Sequence, residues 1–76
     1  MRELVEFLAQ SLVDDTDAVE IRTHERGDQT VIELQVTPAD LGKVIGRQGR
    51  TARAIRTVLA AAGQKSRRRY VLDILD

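Results

Sequence analysis

The sequence predicts a two-layer α+β sandwich, three strands under three helices, in the order helix, strand, strand, helix, helix, strand. Two patterns lead there. Apolar residues recur every three or four positions near the start and again after residue 50, as on half-buried helices, while residues 19–24 and 32–36 alternate apolar and polar as half-buried strands do. Three strands expose a face that helices must cover, and the layered sandwich is the economical way to cover it.

Leu4, Leu8 and Leu12, with Val5, Phe7 and Ala9 beside them, make a broad apolar stripe on a helix from about Arg2 to Val13. The polar run Asp14-Asp15-Thr16-Asp17 ends it. Val19, Ile21 and Thr23 alternate with Glu20, Arg22 and His24 in a first strand, and Ile32, Leu34 and Val36 share one face of a second, with Glu33 and Gln35 on the other. The short turn Arg26-Gly27-Asp28-Gln29 between them argues for an antiparallel hairpin. Thr37-Pro38-Ala39-Asp40 is a helix start, Thr37 as N-cap and Pro38 at the first helical position. Leu41, Val44 and Ile45 then face one way on a helix of about two turns that Gly46 stops. After Gly49 a further helix runs to about Ala62, burying Ala52, Ile55, Leu59 and Val58, with Gly63 as its C-cap and Arg50, Arg53 and Arg56 on the opposite arc. Tyr70 to Leu75 is a strand by its branched and aromatic content, with Tyr70, Leu72 and Ile74 inward.

Seventy-six residues suffice for one domain, which at this size buries only about 60% of its unfolded surface. We therefore expect residues 1–76 to form a single unit. A hydrophobic fraction of 42% and a charged fraction of 32%, without an apolar run near the ~20 residues of a membrane span, disfavour both disorder and insertion into a membrane. Arg2-Glu3-Leu4-Val5-Glu6 reads as an amphipathic helix and not as a secretory leader, so a cytoplasmic location is expected. Cysteine is absent, and the sole histidine, His24, stands in a strand with no second ligand beside it. Disulfides, thiol nucleophiles and zinc sites are excluded together, and no cofactor or metal is expected.

The formal net charge of zero hides a segregation along the chain. Residues 1–40 hold ten acids against Arg2, Arg22 and Arg26, whereas residues 41–76 hold Lys43, Arg47, Arg50, Arg53, Arg56, Lys65, Arg67, Arg68 and Arg69 against Asp73 and Asp76. Such a dipolar chain presents one face to polyanions, and its overall neutrality limits indiscriminate adhesion.

Gly46-Arg47-Gln48-Gly49 lies within that basic half, between two helices. Two glycines three apart remove side chains that would hold a polyanion away and permit backbone angles closed to other residues. The helix that starts at the loop offers free N–H groups and a partial positive charge, which suits a phosphate. Arg47 and Gln48 are placed to contact phosphate or sugar, Lys43, Arg50 and Arg53 to supply attraction, and Ile45 to floor a groove for bases. Other phosphate motifs fail on spacing. A dinucleotide fingerprint or a P-loop needs glycine where Val44 stands, and a P-loop needs Gly-Lys-Ser/Thr where the chain has Gly49-Arg50-Thr51. The only aromatics, Phe7 and Tyr70, fall where a core is expected, so base-stacking platforms of the RRM, cold-shock and OB kinds are absent. No nucleophile, acid pair or metal cluster can be assembled, and an enzyme is not expected.

The segment Gly42-Lys43-Val44-Ile45-Gly46-Arg47-Gln48-Gly49-Arg50-Thr51-Ala52, with the opening Leu4-Val5-Glu6-Phe7-Leu8, the hairpin and the closing Asp73-Ile74 strand, resembles the KhpA family of small bacterial KH proteins. Ala52 departs from the broader KH pattern, in which a bulkier aliphatic residue is common. The resemblance implies the type II KH fold, αββααβ, and a cytoplasmic regulator that grips single-stranded RNA through its G-x-x-G loop in connection with growth and division. It further implies self-association or pairing with a larger KH-containing bacterial partner. A second reading stands beside it: a dimerisation module whose basic half meets an acidic protein surface and touches RNA weakly or not at all. Arg67-Arg68-Arg69 is compatible with extra phosphate contacts and equally with a solvated charge run.

Overall fold

The computed structural model describes residues 1–75. Its elements are α1 (Arg2–Leu12), β1 (Glu20–Arg26), β2 (Gln29–Gln35), α2 (Leu41–Ile45), α3 (Arg50–Ser66) and β3 (Arg69–Ile74), with short 3-10 turns at Thr16–Ala18, Pro38–Asp40 and Arg47–Gly49. This is the expected α+β order.

β1 and β2 pair antiparallel from Glu20↔Gln35 to Arg26↔Gln29, which leaves Gly27 and Asp28 as a two-residue turn with Gly27 at φ 62. β3 joins β2 in parallel, from Gln29↔Arg69 to Leu34↔Ile74, so β2 is the central strand. Parallel neighbours need a crossover connection, and α2, the glycine loop and α3 form it. The loop is thereby suspended between two helices whose far ends are both tied to the sheet.

One hydrophobic cluster joins the layers. Ile21, Ile32, Leu34, Val36 and Leu72 of the sheet side meet Val5, Ala9, Val44, Ile55 and Leu59 of the helices. The period-two reading of β2 and β3 holds: Ile32 and Leu34 are fully buried, and Tyr70 and Ile74 flank buried Leu72 on the inner face.

Four details differ from expectation. Phe7 is 65% exposed, because at 3.6 residues per turn it stands roughly half a turn away from the buried Val5 and Ala9. Val58 is 46% exposed, since Ala52, Ile55, Leu59 and Gly63 already form the buried stripe of α3. Thr37 begins the 3-10 turn, yet its hydroxyl donates to the Asp40 carboxylate at 3.1 Å and makes no cap to backbone N–H. Gly63 is an interior residue of α3, not its cap. A Cβ there would collide with the Arg68 carbonyl oxygen, so glycine is needed for close approach of the returning chain. The helix ends three residues later in a Schellman arrangement: Arg67 sits at φ 56, ψ 36, its N–H donating to the Gln64 carbonyl and the Arg68 N–H to the Gly63 carbonyl at 2.8 Å.

A left-handed arginine in a position that glycine fills without strain is a local cost. Arg67→Gly should therefore raise unfolding free energy by about 0.5–1 kcal/mol, the relief of strain being partly offset by glycine's extra unfolded entropy. Urea denaturation reads this directly, and an unchanged or lower midpoint would show the strain to be negligible.

Candidate nucleic-acid interface

α2 ends because Gly46 leaves helical space, at φ 78 and ψ 168, with its N–H closing the last turn on the Gly42 carbonyl at 2.8 Å. A Cβ on Gly46 would overlap the Thr51 hydroxyl and lie 2.6 Å from the Thr51 Cβ and 2.7 Å from its backbone nitrogen. Gly46 is thus needed twice, for its angle and for the seam it forms with the first turn of α3. Gly49 is needed for angle alone: it has φ 75 and ψ 14, and the nearest atom to a Cβ there would be an Arg53 guanidinium nitrogen at 3.9 Å. Between them Gln48 is also left-handed, at φ 58 and ψ 25.

The loop closes on itself through the Gly49 N–H, which donates to the Gly46 carbonyl at 3.0 Å. The N–H groups of Arg47 and Gln48 have no hydrogen-bond partner among the described residues. Exposed, unpaired amides just before a seventeen-residue helix are groups that attract an anion. The Arg47, Gln48 and Arg50 side chains are exposed around them, and Ile45 is half-buried against the core below.

The remaining basic residues are more committed than the sequence suggests. Lys43 is not a mobile charge. Its ammonium lies 2.6 Å from Asp14 and 3.0 Å from Asp40, so two carboxylates neutralise it, and these hydrogen bonds, that to Asp14 foremost, raise its pKa. Arg53 donates to the Gln48 carbonyl at 3.1 Å. Arg56 reaches the Leu72 carbonyl of β3 at 3.3 Å, and Arg68 reaches Glu25 at 3.4 Å and Thr30 at 3.3 Å.

Asp40 organises this end of the molecule. Only 2% exposed, its carboxylate accepts from the Asp15 N–H at 3.0 Å, the Thr37 hydroxyl and the Lys43 ammonium. The Asp15 N–H, then the Lys43 ammonium, hold its pKa down at about 2 against the opposing effect of burial. The α1–β1 connection is thereby clasped to the start of α2. In the sequence Asp40 reads only as a first-turn acid, because its partner Asp15 is twenty-five positions away.

A second surface adjoins the loop. Leu8, Ser11 and Leu12 of α1 and Thr51, Ala54, Ile55 and Val58 of α3 line an apolar groove of ≈ 250 Å³. Sequence periodicity assigned Phe7 and Val58 to the core and so missed the groove; Val58's position at the margin of the buried stripe of α3 was the available signal.

A three-stranded mixed sheet under three helices, with a Gly-x-x-Gly turn between the last two, defines a KH module. The chain belongs to the KhpA/KhpB family of KH domains, whose profile matches residues 2–74. Among relatives named RNA-binding protein KhpA, that of Halalkalibacterium halodurans is 53% identical over all of both chains. Those of Borreliella burgdorferi and Aquifex aeolicus are each 51% identical, over 97% of this chain and 90% of the relative, and over 100% and 96%. No solved structure gives a significant match. The family is one of RNA-binding KH proteins and not an enzyme family, and among the described residues no helix is long and apolar enough to cross a membrane.

The clasp has a pH signature. A carboxylate whose folded pKa lies below its ordinary 3.8 contributes stability that is fully present above that value and lost as pH falls through about 2. Asp40→Asn should therefore be markedly less stable than the wild type at pH 7 in urea titrations, with the gap narrowing between pH 4 and pH 2. A gap independent of pH would show that the carboxylate's charge is not what holds the clasp.

Proposed function

We propose that this chain is a non-enzymatic binder of single-stranded RNA that lays the sugar-phosphate backbone across the Gly46–Gly49 turn. The observation that carries this reading is the pair of unpartnered N–H groups of Arg47 and Gln48, held on a turn poor in side chains at the start of α3. A phosphate oxygen supplies the acceptors they lack. Arg47 and Arg50 add charge from the rim, Gln48 contributes polar contact, and Ile45 supports a base against the apolar layer. RNA binding in the names of close relatives supports the same reading. We place the protein in the cytoplasm as a post-transcriptional regulator or RNA chaperone connected with growth and cell shape, formed by one KH domain over residues 1–76.

The two glycines are unequal tools for testing this. Any side chain at Gly46 displaces Thr51, so its loss confounds folding with binding. Arg47→Asp with Gln48→Asp is the cleaner variant, because aspartate tolerates the left-handed backbone at 48 and places two negative charges at the free amides. It should keep its circular dichroism spectrum and lose binding to single-stranded RNA by at least about 100-fold, the equivalent of two charge-assisted hydrogen bonds. Unchanged RNA retention by the folded double variant would refute the site. In the wild type, three or four phosphate contacts should give a log K against log salt slope of about −2 to −3.

A specific observation also favours pairing with a second KH chain, either another copy or a larger KH-containing protein: the exposed apolar side chains of Leu12 and Val58 in the α1–α3 groove. The family description joins KhpA with KhpB. Val58→Asp should then yield a monomer in sedimentation equilibrium at concentrations where the wild type associates. If the wild type is itself monomeric, alone and with a KhpB-type chain, pairing through this groove is wrong.

A further inference from the structure

Three arginines on one helix would ordinarily all be assigned to phosphate, yet their donors are directed differently. Arg50 has no described partner, Arg56 is bonded to β3, and Arg53 turns back onto the loop itself. Its guanidinium donates to the carbonyl of Gln48, 3.1 Å away, and passes 3.9 Å from where a Cβ of Gly49 would stand. It therefore braces the one residue of the loop whose backbone angle is unfavourable for its type.

Gln48 is left-handed without being glycine, and so disfavours its own conformation. Few other contacts restrain it. Its N–H is unpaired, its side chain is exposed, and its carbonyl is the only Gln48 group with a described hydrogen-bond partner. If Gln48 relaxed to a right-handed or extended angle, the peptide between Gln48 and Gly49 would rotate, carrying the Gly49 N–H away from the Gly46 carbonyl and opening the turn that presents the Arg47 and Gln48 N–H groups.

We propose that Arg53 is a positioning residue, a strut that holds the Gln48 carbonyl and thereby keeps the loop in its phosphate-receiving shape, and that it is not a direct ligand of RNA. The proposal rests on the loop being the RNA site, as set out above, but the strut itself is a property of the free protein.

The test is a cycle of Arg53→Ala and Gln48→Asn, read in two ways. Asparagine accepts the left-handed region far more readily than glutamine, so it makes the strut redundant. In the free protein, the three-bond HN–Hα coupling and chemical shifts of residue 48 should move away from left-handed values in Arg53→Ala and return towards them in the double variant. For single-stranded RNA, Arg53→Ala should weaken binding about ten-fold in the Gln48 background and by no more than about two-fold in the Gln48→Asn background. Equal losses in both backgrounds, with residue 48 unmoved in Arg53→Ala, would make Arg53 an ordinary phosphate contact and overturn the proposal. A shifted loop with no RNA binding in any variant, wild type included, would leave the strut standing and remove the RNA site instead.

Discussion

The contact on which the molecule depends is the seam between Gly46 and Thr51. α2 and α3 belong to one crossover and must turn sharply without separating, and the only way to bring the end of one against the first turn of the other is to remove a Cβ where they meet. Once that seam is closed, the residues bridging it have almost no freedom. Three of the four loop residues are driven to positive φ, a single backbone hydrogen bond from Gly49 to Gly46 closes the turn, and two amides are left facing no partner. The exposed amides of the loop are a by-product of helix packing, not an appendage to it.

The same economy governs charge. The basic half of the chain carries nine cations, but the fold employs several of them internally. Lys43 neutralises Asp40 and Asp14, Arg68 bridges to β1, and Arg53 and Arg56 satisfy carbonyls. Arg47 and Arg50, the cations nearest the free amides, have no described partner, and neither do Lys65, Arg67 and Arg69 at the other end of α3. The unengaged cations therefore fall into two groups, one at the loop and one at the C-terminal end of α3, and charge counted along the sequence overstates what the surface offers a polyanion.

How much of this was legible beforehand follows from the range of the interactions. The helices, the hairpin and the inward faces of β2 and β3 are written in local periodicity, and the loop is written in two glycines flanked by helical pattern. Features that depend on residues distant in sequence were not readable. The clasp joins Asp40 to Asp15, the role of Gly63 depends on where the Arg68 carbonyl returns, and the exposure of Val58 depends on how far α1 reaches along α3. Phe7 was misplaced for a simpler reason. Hydrophobicity marks a residue as able to be buried, and only its angle on the helix shows that Val5 and Ala9 hold the buried face.

β3 is an edge strand, and its register with β2 turns the backbone groups of Leu72 to the open side. Open strand edges are templates on which a stray chain can extend a sheet into insoluble fibres. Arg56, arching from α3 onto the Leu72 carbonyl, occupies an acceptor that such a chain would need and sets a charged side chain in its path. One arginine thus serves as a guard against self-templated precipitation, a safeguard of value to a small protein that has no disulfide to keep its sheet from opening.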